Sequence, residues 1–208
     1  MAELQRRKGS ETRNQILSFA ETAVLEKGFA GTSIDELIAA VGITKSGFFY
    51  HFKDKNALAK ALLQHYLDRE EAIFDELFER ADDLNDDPLH GFLVFLKLFA
   101  EVLADLPETH PGCLVSAFCY QDQLFNREIR ELNAAGVLRW RERFNDRLEL
   151  IARHYPPKME IEMSELADMV SGIVEGGIVI SRSVRDKDVL PQQVLLLRRF
   201  VRRVFLDS

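Results

Sequence analysis

Apolar residues in this 208-residue chain recur at helical spacing nearly from end to end, and no period-two alternation bounded by hairpin turns interrupts them. Such a chain predicts an all-α fold. With 47% hydrophobic and 29% charged residues it can bury a real core and lacks the composition of a disordered segment.

The boundaries follow from local signals. Ile16, Leu17, Ala20, Ala23 and Val24 make an apolar stripe on a first helix, which Gly28 can stop in the left-handed conformation, with Phe29 packing back onto the core. Ser33 and Glu36 have the spacing of a capping box and open a short helix over Ile34–Ala40. Val41-Gly42-Ile43 interrupts it, Thr44 caps another short helix ending near His51-Phe52, and Asp54 caps a fourth. Two helices of about two turns joined by a Gly-containing turn form a helix-turn-helix unit.

The fourth helix is expected to run from Lys55 to about Arg80 and to be followed by an acidic loop, after which Asp87-Pro88 opens a Phe-rich helix that Pro107 and Pro111-Gly112 end. Further helices are expected over Cys113–Phe125, Asn126–Tyr155, Met163–Ser183 and Pro191–Leu206. The division this suggests is a helix-turn-helix head over residues 1–54 and a helical body over 55–208.

A net charge of −7, from 34 acidic and 27 basic side chains, argues against a nucleic-acid partner if the chain is taken whole. By segment it does not. Met1–Asn56 carries 8 basic and 7 acidic residues, the remainder 19 and 27. The chain is a near-neutral head with a basic leading arm, Arg6-Arg7-Lys8, on an acidic body. Two cysteines are too few for a secreted disulfide scaffold, the start MAELQRRKGS lacks a signal-peptide core, and apolar runs fall short of the roughly 18 residues of a membrane span. A cytoplasmic protein is expected.

At about 100° per residue along the third helix, Phe48 and Phe52 fall within about 40° of each other, while Ser46, Gly47 and Tyr50 fall opposite. One face is core. The other presents small polar groups and a phenol, as a helix entering a DNA major groove requires, with His51, Lys53 and Lys55 placed where cations meet phosphates. Any small three-helix module also has two such short helices, so geometry leaves both readings open.

The run Thr12-Arg13, Ile16-Leu17, Ala20, Gly28-Phe29, Thr32-Ser33-Ile34, Leu37, Gly42 to Lys55 and Leu58 resembles the DNA-binding domain of the TetR family of transcriptional regulators in one unbroken register. The resemblance implies DNA contacts at Ser33, Thr44, Lys45, Ser46, Gly47, Tyr50, His51 and Lys55. It also implies an approach of the basic arm to DNA, although a solvated tail would have the same composition. The phenol that commonly grips a phosphate in the family is absent at Phe49, leaving Tyr50 to supply one, and Ile38 and Val41 are bulkier than the usual alanines.

For the body, the resemblance implies a four-helix dimer interface from the last two helices and a small-molecule pocket. Met169, Ile173, Gly176 and Ile180, with Leu197, Val201 and Val204, form apolar stripes suited to that interface, and Gly172 with Gly176 allows close helix approach. The same stripes would serve as core within one chain. Phe95, Phe99, Phe118, Trp140 and Phe144 are candidate pocket residues for a hydrophobic or aromatic effector, or simply core rings. Cys113, expected at a helix start, is a candidate sensor or an inert buried thiol, and six residues of helix place it about 9 Å from Cys119, too far for a disulfide.

Metalloprotease, Walker A, dinucleotide and nucleophile-elbow motifs are absent, and the five histidines lack metal-ligand spacing. The expectation is therefore no enzyme, no metal and no cofactor. It is a ligand-responsive repressor that binds a palindromic double-stranded operator as a homodimer, with an activator of the same fold as the alternative and an α-helical enzyme or ligand carrier as the remoter one.

Overall fold

The computed structural model describes residues 2–206, with side chains from Gly9 onward. Among the described residues there are nine α-helices, a 3-10 turn at Asp122–Leu124 and no strand. The helices are α1 Ala2–Gly31, α2 Ile34–Val41, α3 Lys45–His51, α4 Lys55–Leu84, α5 Pro88–Ala104, α6 Leu114–Cys119, α7 Arg127–His154, α8 Met163–Val184 and α9 Val189–Phe205.

Two compact units result: residues up to Arg69 together with Cys113–Gly136, and Glu70–Gly112 together with the chain from Val137. The sequence boundary after residue 54 falls at the start of α4, whereas the first unit continues along that helix. Leu58, Ala59, Leu62, Leu63, Tyr66 and Leu67 of α4 are all buried. Charge follows these units, with 12 basic and 11 acidic side chains in the first and 15 and 23 in the second.

In the first unit α1 packs on α2 and α6. Its helical path breaks at Gly28, whose φ of 78° and ψ of 163° lie outside the left-handed helical well expected from sequence and in a region that only glycine enters readily. The break turns Phe29 into the core, where its ring meets those of Phe118 and Phe125 at 5.9 and 4.9 Å. Gln121 closes the turn: its Oε1 accepts a hydrogen bond from the Ala30 N–H at 3.1 Å, and its amide lies where a Cβ on residue 28 would be, 2.2 Å from Nε2.

The single helix expected over Cys113–Phe125 is instead the short α6 and the 3-10 turn. The reason is geometric. Phe118 and Phe125 stack at 4.3 Å, whereas seven residues of continuous helix would separate them by about 10 Å.

In the second unit Phe74, Phe78, Phe92, Phe95, Phe99 and Phe144 pack ring on ring, with Phe78 and Phe95 stacked at 3.8 Å. Asp87 caps α5 by accepting from the His90 N–H at 2.9 Å, ahead of Pro88. Its carboxylate also accepts from the Tyr155 hydroxyl at 2.5 Å and from the His90 ring. Burial works to raise the Asp87 pKa, but these hydrogen bonds prevail and hold it at about 2.

The final helix corrects part of the interface expectation. α9 packs against α5 and α8, so Leu197, Val201 and Val204 are wholly buried inside one protomer and belong to its core. Gly177 lets α8 approach α9, since a Cβ there would meet Leu190 at 2.8 Å. Gly172 and Gly176 instead face open space.

Candidate nucleic-acid interface

Helix α2 begins at Ser33, whose hydroxyl accepts from the Glu36 N–H at 3.1 Å, while the Glu36 carboxylate pairs with Lys27 on α1. That ion pair, before a weaker opposing effect of burial, lowers the Glu36 pKa. The helix ends at Gly42, in the left-handed well with φ 73° and ψ 33°. Thr44 then caps α3, accepting from the Gly47 N–H at 3.1 Å, with the Ser46 hydroxyl 3.0 Å from its own. A short helix closed at both ends by side-chain and backbone bonds is held rigidly enough to present a fixed surface.

Phe48 and Phe52 are buried, and Leu37 of α2 is buried with them as core. Outward stand Thr44, Lys45, Ser46 and Tyr50, the last 83% exposed. The helical-wheel division holds. Lys45 approaches Asp35 only at 3.7 Å between exposed side chains, a weak pairing that leaves its ammonium available to an anion. Ser33 is exposed at the start of α2, and Gly47 is half-buried, where a Cβ would lie 3.3 Å from the Thr44 hydroxyl.

His51 is half-buried at the end of α3, edge-on to Tyr50. Burial first, and then repulsion from Arg13, lowers its pKa, so the ring is neutral near pH 7. Arg13 of α1, over the Phe52 ring at 5.3 Å, is a cation beside this surface that the helix-turn-helix spacing alone did not single out.

Lys55 is turned inward. Its Nζ donates to the Phe29 carbonyl at 2.7 Å and lies 4.6 Å over the Phe29 ring, and burial lowers its pKa. It ties the start of α4 to the segment that follows the break in α1. The side chains of Arg6, Arg7 and Lys8 lie outside the described residues.

The candidate pocket residues fall in different places. Phe95, Phe99 and Phe144 are buried in the ring cluster of the second unit. Phe118 is core of the first unit, and Cys113 of the same unit is half-buried, with no disulfide to the exposed Cys119. Trp140 on α7 is half-buried, and its indole N–H is out of solvent with no acceptor among the described residues. Of the interface candidates, Met169, Ile173 and Gly176 are half-buried and Ile180 is 48% exposed, continuous with exposed Val179 and Val184.

No described group of His, Cys, Asp and Glu is arranged to hold a metal ion, and no described helix is long and apolar enough to cross a membrane.

Residues 16–62 match the family model for bacterial regulatory proteins, tetR family. The "Probable HTH-type transcriptional regulator ArpR" of Pseudomonas putida is 25% identical over 190 residues, covering 88% of each chain. The HTH-type transcriptional regulator TtgR, also of Pseudomonas putida, is 29% identical over 142 residues, or 66% of this chain and 64% of that one. A TetR-family transcriptional regulator from Agrobacterium tumefaciens has the same fold, with a TM-score of 0.78 at 20% identity over 95% of this chain and all of that one. The helix-turn-helix at the head of this chain is thus built on the residues that match the tetR-family model, and the chain as a whole shares its fold with regulators of that family.

Proposed function

We propose that the protein is a homodimeric repressor that binds a palindromic operator through α3 and releases it when a small hydrophobic or aromatic effector binds its second unit. One observation carries the reading most directly: α3, fixed by Thr44 at one end and by buried Phe48 and Phe52 behind, offers Lys45, Ser46 and Tyr50 outward on a near-neutral unit. Such a helix reads base edges in a major groove, while Ser33, Thr44 and His51 flank it as phosphate partners.

The dimer rests on the open face of α8. Gly172 and Gly176 admit a neighbouring helix, and Val179, Ile180 and Val184 leave apolar surface exposed. Two-fold pairing would present two α3 helices to half-sites about 34–36 Å apart. For the effector, the supporting features are the phenylalanine cluster and the unsatisfied indole of Trp140. An effector lowers DNA affinity only by preferring one conformation of the protein.

Selection of random duplex DNA by the full chain, followed by footprinting, tests the reading. The expected product is an inverted repeat protected by a dimer. Uniform, sequence-independent retention refutes it.

A further inference from the structure

On the outward arc of α3, Lys45, Phe49, Ser46 and Tyr50 follow one another over about 140°. Phe49 stands inside this arc, beside a cation and two hydroxyl-bearing residues, and it is 42% exposed. Its neighbour Phe48 is fully buried and meets it edge-on at 5.5 Å, so the core already has its ring at this level of the helix. The exposed part of Phe49 contributes little to the fold. It cannot hydrogen-bond a phosphate, and a ring pressed against a hydrated phosphate would strip water and return nothing.

We propose that Phe49 is a specificity-determining residue that reads a thymine through its C5-methyl group. The inference rests on the proposed entry of α3 into the major groove. Within that groove the thymine methyl is the one apolar feature among the unmodified base edges, and an aromatic side chain is a fitting partner for it. Lys45 and Tyr50 hold the helix to polar groups on either side, and Phe49 adds a contact that hydrogen bonding cannot supply. Each half-site thereby contains one T·A pair whose methyl is covered by the ring.

The test replaces thymine by deoxyuridine, which keeps every hydrogen-bonding group and removes only the methyl. The probe is the duplex selected from random DNA by the full chain, with deoxyuridine substituted at one thymine position at a time. The expected result is a single sensitive position per half-site, weakening binding about four-fold, the effect of uncovering one methyl-sized group. Phe49→Ala should bind the T and U duplexes equally while still preferring the selected operator over random duplex.

An operator whose deoxyuridine forms all bind like the parent overturns the inference and leaves the regulator reading intact. Methyl sensitivity that persists in Phe49→Ala also overturns it, because another side chain then reads the thymine. A chain that enriches no sequence overturns both. The comparison of T and U duplexes with the unmodified protein does not depend on how the variant folds.

Discussion

Gly28→Ala probes how the first unit is fastened. The residue sits at φ 78° and ψ 163°, where a side chain costs roughly 1–3 kcal/mol in the backbone alone. Its new Cβ would lie 2.2 Å from Gln121 Nε2, so the amide must leave and its hydrogen bond to the Ala30 N–H, worth about 1 kcal/mol, is lost. The substitution should therefore destabilise by about 2–4 kcal/mol, read as a lower urea midpoint at unchanged slope and fixed protein concentration.

Gln121→Ala separates the two contributions. Alone it should cost about 1 kcal/mol, and in its background Gly28→Ala should cost only the backbone part, giving a coupling energy of about 1 kcal/mol. A Gly28→Ala protein within about 0.5 kcal/mol of the parent would refute both the special backbone conformation and the Gln121 contact.

Other consequences are as direct. His51 has its pKa lowered in the DNA-free protein by burial and then by Arg13, and a phosphate beside it would raise that pKa in the complex. A group with the higher pKa in the bound state takes up a proton on binding, so operator affinity should rise as pH falls through the pKa of the complex toward that of the free protein, and His51→Gln should flatten the profile. A flat profile for the parent would place His51 off the phosphates. Ile180→Glu should yield folded monomers by light scattering, whereas Leu197→Ala should cost about 2–5 kcal/mol of stability, because only Ile180 is exposed; the opposite pattern would reverse their assignments.

Tyr155→Phe should destabilise the protein near neutrality, read as a lower urea midpoint. The Asp87 pKa is depressed, so its stabilising contribution is present above the usual carboxylate value and is lost as pH falls through about 2, and the cost of Tyr155→Phe should shrink over the same window. A pH-independent cost would exclude the charged hydrogen bond as its source.

Much of the helix-turn-helix was legible in the sequence because its signals are local. Ser33, Gly42, Thr44 and Asp54 do in the structure the capping work their side chains and backbone suit them for, and Phe48 and Phe52 face inward as their spacing requires. Long-range packing was less legible. The stripe Leu197, Val201 and Val204 has the same periodicity whether it meets another protomer or α5, and only the tertiary arrangement decides.

Lys55 illustrates the same limit at the site. Its sequence position suits a phosphate contact, but the Phe29 carbonyl and ring, exposed inward by the break at Gly28, capture its ammonium. Gln121 carried no sequence signal at all, because its partner lies 91 residues away. Among the pocket candidates, Phe118 and Phe95 have equivalent local patterns yet are core of different units, a distinction that periodicity alone does not make.

The central claim is that α3 reads the operator. Its most direct test is a gel-shift comparison of the parent and the Lys45→Ala, Tyr50→Ala double variant on the selected operator, with dimer content measured by light scattering. Both side chains are exposed and the fold does not depend on them, so the account predicts loss of specific binding with the dimer intact. Specific binding retained by the double variant would contradict it.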